Sequence, residues 1–83
     1  MIQIARTTKQ AGEAVRRERK KRGLTQQQLG AKIHRRQATI SKLEAGEPAT
    51  ELRVLFDVLA ALDLEILIQS RTKASLNEIE DLF

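Results

Sequence analysis

Hydrophobic positions recur at helical spacing through most of the chain, in short runs broken by glycine or proline. Thr7 or Thr8 opens a first helix reaching about Lys21, with Ala11, Ala14 and Val15 as a thin apolar stripe. Gly23-Leu24 breaks it. Thr25 then stands three residues before Gln28, a spacing that lets the two side chains satisfy each other's backbone amides in a capping box. Leu29 and Ile33 mark the buried face of that second helix, and Ile40 and Leu43 the face of a third, beginning near Arg36 or Gln37. The third stops at Ala45-Gly46, where Gly46 can turn left-handed and Pro48 blocks continuation. Thr50 caps a fourth helix from about Glu51 to Leu62, whose apolar stripe is Leu52, Leu55, Phe56, Leu59 and Ala60, with Val54 and Val58 as a second stripe.

Alternation replaces helical period in two places. Ile2-Gln3-Ile4 reads as a short strand, and Leu64-Glu65-Ile66-Leu67-Ile68-Gln69 as a second, with Leu64, Ile66 and Ile68 on one face. A strand alone cannot satisfy its own backbone, so the second must pair with the first, with its counterpart in another subunit, or with both. A fourth helix apolar on two faces also has more surface to cover than one small core needs. These features favour a dimer, with Leu64, Ile66, Leu67 and Ile68 as the dimerisation residues. Residues 1–71 form the folded domain, and residues 72–83 a tail that starts polar and ends acidic.

Two short helices crossing at a tight turn, from Gln26 to Ala45, are the layout of a helix-turn-helix, in which the second helix enters the DNA major groove leading end first. Gly30 is small where the helices press together. The side chains at that leading end suit base edges: Gln37 offers a bidentate amide to adenine, Ala38 and Thr39 a methyl to thymine, Ser41 a hydroxyl, and Lys42 an ammonium to guanine or phosphate. Gln26, in the first turn of the preceding helix, is placed to bond a phosphate while its amide supports Gln37. Arg35 and Arg36, in the turn, are phosphate contacts.

Charge points to the same partner. The chain has 83 residues and a net charge of +4, yet residues 1–48 carry 12 basic and 4 acidic side chains while residues 49–83 carry 3 and 7. A polyanion partner is expected for the first part, since neutralised phosphates release counterions. The run Arg16-Arg17-Glu18-Arg19-Lys20-Lys21-Arg22 wraps around its helix, so part of it faces solvent. Phe56 and Phe83 are the sole aromatics, which argues against the stacking platforms of single-strand or RNA binders. Without cysteine there is no disulfide framework or thiolate metal site, and the single histidine, His34, has no second ligand at a suitable spacing. No nucleophile and base are placed together, so neither an enzyme nor a cofactor is expected. No apolar run is long enough to span a membrane, and a cytoplasmic location is expected.

Two strings carry a family resemblance: Arg-Gly-Leu-Thr-Gln at 22–26 and Gln-Ala-Thr-Ile-Ser-Lys-Leu-Glu-Ala-Gly at 37–46. With them, the stretch from Ala14 through Ile68 resembles the xenobiotic-response-element, or Cro and phage-repressor, helix-turn-helix family. The fourth helix and following strand resemble more narrowly the HipB antitoxins, which pair with HipA-type serine/threonine kinase toxins. The resemblance implies a mainly α, lambda-repressor-like bundle of four to five helices, with a short C-terminal β-strand pairing across a homodimer. It implies operator contacts at Arg36, Gln37, Ala38 and Ser41. The tail, with Leu76, Ile79, Leu82 and Phe83 at helix-like intervals, would by the same analogy offer Leu82 and Phe83 as anchors to a toxin. The expected function is a sequence-specific repressor acting as an antitoxin on an inverted-repeat operator. The alternatives are a stand-alone regulator without a toxin partner, or a toxin-masking module whose DNA binding is secondary. The chain departs from the family at the turn, where His34 replaces a glycine and Arg35 an apolar residue. Histidine tolerates positive φ better than most residues, and Arg35 must then point outward.

Overall fold

A computed structural model of the chain describes residues 2–71. Within them lie four helices: α1 (Thr8–Lys21), α2 (Gln26–Lys32), α3 (Gln37–Glu44) and α4 (Leu52–Ala61). The starts of the first two follow from their threonines. Thr7 Oγ1 accepts from the Gln10 amide at 3.0 Å. At Thr25 the reciprocal box forms, with Thr25 Oγ1 accepting from the Gln28 amide at 3.0 Å and Gln28 Oε1 from the Thr25 amide at 2.8 Å. The expected cap at Thr50 is not made. Helix α4 begins one residue later than that cap requires, with Glu51 at the N-cap and no side-chain bond to the first turn.

All four helices end in the same way. A residue with positive φ follows the last turn: Gly23 (67°), His34 (57°), Gly46 (80°) and Asp63 (57°). The amides of that residue and of the one after it bond back to successive carbonyls, as in Gly23 N to Lys20 O at 3.0 Å and Leu24 N to Arg19 O at 3.2 Å. Orphan carbonyls are thereby satisfied and the chain reverses within three residues. His34 therefore takes the left-handed position in which a glycine would be unstrained, as the turn requires.

Val15, Leu29, Ile40, Leu43, Val54, Val58 and Leu62 form the core, and Leu24, Ile33, Leu55, Ala61 and Leu64 pack against it. Helices α1 and α3 approach backbone to backbone: a Cβ on Gly12 would lie 2.5 Å from the Leu43 carbonyl oxygen and 2.6 Å from that of Glu44. Gly30 serves the turn rather than the helix crossing, because its Cβ would meet the Arg35 carbonyl oxygen at 2.7 Å. The tight turn between α2 and α3 thus depends on a missing side chain.

On α4 the second stripe is the one turned inward. Val54 and Val58, with Leu62, face the core, whereas Leu52 and Phe56 are 65% and 50% exposed. The inward row is the one that continues, at four-residue spacing, into Leu62 and the turn carrying Leu64 onto the core.

The two stretches expected as strands form no ladder among the described residues. Ile2-Gln3-Ile4 runs extended beside α1, tied to it through Gln3, whose Nε2 donates to Glu18 Oε2 at 2.9 Å while Arg17 Nε donates to its Oε1 at 2.9 Å. The second stretch, Leu64–Gln69, lacks a partner within the described chain because its apolar residues divide: Leu64 turns into its own chain's core, and Ile66, Leu67 and Ile68 stay exposed. Leu82 and Phe83, with the rest of the tail, lie outside the described residues.

Candidate nucleic-acid interface

Helix α3 presents its leading end to solvent. Gln37, Ala38 and Lys42 are exposed, Thr39 and Ser41 half-buried, and Ile40, Leu43 and Glu44 turned into the molecule. Arg36 is the N-cap, extended at φ −75° and ψ 153°, and its carbonyl accepts from the Thr39 amide at 3.0 Å. Its side chain makes no capping bond, and the residue is exposed. Arg35 is half-buried through its backbone contact with Gly30. Neither arginine nor Lys42 enters an ion pair among the described residues. Two cations at the start of α3 and a third, Lys42, in its last turn are therefore without ion-pair partners among the described residues.

The glutamine pair expected from sequence is present. Gln37 Nε2 donates to Gln26 Oε1 at 2.8 Å. Behind it lies an arrangement that the sequence reading missed. Gln26 Nε2 donates to Glu44 Oε1 at 3.1 Å. Glu44 in turn receives Arg19 as a two-pronged pair, Nε to Oε2 at 2.6 Å and Nη2 to Oε1 at 3.0 Å. Arg19 Nη1 also donates to the Leu24 carbonyl at 2.7 Å. Both charged side chains are nearly sealed from water, at 9% and 3% exposure. The hydrogen bonds that Arg19 donates to Glu44 raise the Arg19 pKa above its ordinary value, against the opposing effect of burial. One connected line of hydrogen bonds thus runs from the α1–α3 seam to the tip of the recognition helix.

A signal for this pair existed in the chain. Gly12, Val15 and Arg19 follow one helical row, and Ile40, Leu43 and Glu44 another, so opposite charges occupy core-facing positions on two helices that cross. The rest of the basic run behaves differently. Glu18 collects Arg22 at 3.1 Å and Lys21 at 3.3 Å, and those hydrogen bonds, Arg22's first, lower its pKa below 4.5. Two of the run's six cations are paired on their own helix, and Arg19 is paired across the seam. The cations of the turn and of α3 are not.

Such a geometry, with a short helix held across another and its polar tip free, defines a helix-turn-helix module of the kind that reads double-stranded DNA. The helix-turn-helix family model matches residues 15–68. Among solved structures, a "HipB-O4 20mer complex" is 31% identical with a TM-score of 0.79, the match covering 86% of this chain and 100% of that one. A "Structure of HipA-HipB-O2-O3 complex" is likewise 31% identical with a TM-score of 0.79, over 86% of this chain and 100% of that one. No curated protein matches the chain. The chain belongs to the helix-turn-helix family and, within it, to the HipB-like members.

Proposed function

We propose that this chain is a transcriptional repressor and the antitoxin of a toxin–antitoxin operon, binding an inverted-repeat operator as a homodimer and associating with a HipA-like serine/threonine kinase toxin. The observation that carries the reading is Gln37, exposed at the leading end of α3 with its amide braced by Gln26. A preorganised amide loses little side-chain entropy on meeting a base. In this reading Gln37 contacts a base edge, Ala38 and Thr39 offer methyl groups, and Ser41 adds a hydroxyl. Arg35, Arg36, Lys42 and Gln26 meet phosphates or flanking bases and set the register.

The homodimer accounts for apolar surface that one chain leaves uncovered. Phe56, Leu59, Ala60, Leu64, Ile66 and Ile68 line an open groove, and Ile68 is 92% exposed. In the dimer, Ile66, Leu67 and Ile68 belong to a strand that pairs with its symmetry mate, and the two copies of α3 then lie about one DNA turn apart. The solved complex that contains both HipA and HipB supports a kinase partner. The tail 72–83, with Leu82 and Phe83, is assigned to that partner.

A mobility-shift titration against the protein's own upstream region tests the reading. One duplex should be bound preferentially, and Gln37→Ala should reduce that preference by about 1–3 kcal/mol. Equal affinity for every duplex would overturn it. Co-purification with a neighbouring kinase-like gene product tests the partner: deleting residues 72–83 should spare DNA binding and weaken association, and unchanged association would remove the tail's role.

A further inference from the structure

We infer that the buried Arg19–Glu44 pair acts as a positioning element for base selectivity: through Gln26 it fixes which end of the Gln37 amide faces the DNA, and so makes this position select adenine over guanine. The inference rests on the proposed reading of Gln37 as a base contact.

The argument is one of donors and acceptors. A guanidinium can only donate hydrogen bonds and the carboxylate facing it can only accept, so Glu44 imposes a direction on whatever bonds to it next. Glu44 Oε1 already receives Arg19 Nη2 at 3.0 Å, and the group beside it, 3.1 Å away, is the Gln26 side-chain amide. Only the NH2 end of Gln26 can face that carboxylate. The carbonyl end of Gln26 must then point the other way, where it accepts from Gln37 Nε2 at 2.8 Å. Gln37 is left with one N–H and a carbonyl oxygen for its outward face. One donor beside one acceptor matches adenine, which shows an N7 acceptor and an N6 amino donor in the major groove. Guanine shows two acceptors, N7 and O6, so the Gln37 carbonyl would stand against O6 with no proton between them.

The relay lies on three helices. Arg19 belongs to α1, Gln26 to α2, and Glu44 and Gln37 to opposite ends of α3. It also explains why an expensive charge pair is kept in the seam, where apolar residues of similar volume would serve stability as well or better. Were the pair merely structural, its loss would weaken binding to all sequences alike.

A competition experiment on duplexes carrying each of the four base pairs at every operator position separates these possibilities. The full chain should prefer adenine to guanine at one position in each half-site. Gln26→Leu keeps the Arg19–Glu44 pair but frees the Gln37 amide to rotate, and the adenine-to-guanine ratio at that position should fall by about tenfold, with other positions unchanged. Glu44→Gln replaces the group that can only accept with one that can also donate, so the direction of the Gln26 amide is no longer imposed and the ratio should fall. If Glu44→Gln does not fold, the double variant Arg19→Met with Glu44→Met takes its place, and the ratio should fall as with Gln26→Leu. A folded Gln26→Leu variant with an unchanged ratio overturns the relay. An unchanged ratio in the folded residue-44 variant overturns the part assigned to Glu44. A wild-type chain with no base preference anywhere instead refutes the proposed DNA reading itself.

Discussion

The seam between α1 and α3 and the outer face of α4 solve opposite problems. In the seam, the chain buries charge and brings backbones together, as the 2.5 Å approach implied at Gly12 and the Arg19–Glu44 pair show. On α4 and the stretch after it the chain leaves large apolar side chains in water, Leu52, Phe56, Ile66 and Leu67 among them. A polar interior and an apolar exterior are each unfavourable alone. The first is satisfied inside the chain, since no buried side-chain polar atom of the described residues lacks a partner. The second is not, which is why the proposed function gives α4 and the following stretch to a second subunit. One region orients side chains, and the other holds what must be covered.

The largest effect expected from this contrast follows a broken pair. Arg19→Ala or Glu44→Ala leaves one buried charge uncompensated and should destabilise the chain by about 3–5 kcal/mol, whereas replacing both by methionine should cost far less. Denaturant titration of the three variants checks this, and a double variant that loses the sum of the two single losses would mean that the two charges act independently. Gly12→Ala should cost about 1–3 kcal/mol, because a methyl group there forces α1 away from the α3 carbonyls. It should also weaken DNA binding, since Gln26 and Gln37 depend on how the seam is seated.

On the opposite face the sign differs. Phe56→Ser and Ile66→Ser should alter single-chain stability by less than about 0.5 kcal/mol, as exposed positions do, yet abolish any rise of the unfolding midpoint with protein concentration. Sedimentation of the variants at several concentrations reads this directly. A wild-type midpoint independent of concentration would remove the contrast. The smallest effect concerns acid. Glu18 has a lowered pKa in the folded chain, so its contribution is present above its ordinary value of 4.5 and is lost as pH falls below that through the lowered value. Glu18→Gln should lower stability slightly at neutral pH, with the difference from the unchanged chain vanishing as pH falls through the lowered value, so that the acid limb flattens.

Much of the site is legible in the residues themselves. Thr25 and Gln28 form their box, and His34 takes positive φ at the departure from glycine. The pairing of Gln26 with Gln37 follows from their places at the leading ends of consecutive helices. The misses share a cause. Arg19 sits in a run of six basic residues and reads as solvated, although its row on α1 is the buried one. Asp63 takes the left-handed cap usually given to glycine, with no local sign of it. Thr50 looks like a cap, and the helix starts after Glu51 instead.

Local chemistry by itself determined where the first three helices begin and end, because caps, left-handed turns and four-residue periodicity involve neighbours only a few positions apart. It also determined which side chains stand at the tip of α3. Only the tertiary structure decided which stripe of α4 is inward, that Leu64 joins the core while Ile66 and Ile68 do not, and that Arg19 reaches Glu44 across 25 positions of the chain. Those outcomes depend on which surfaces meet when helices cross. No window of consecutive residues contains both sides of such a contact.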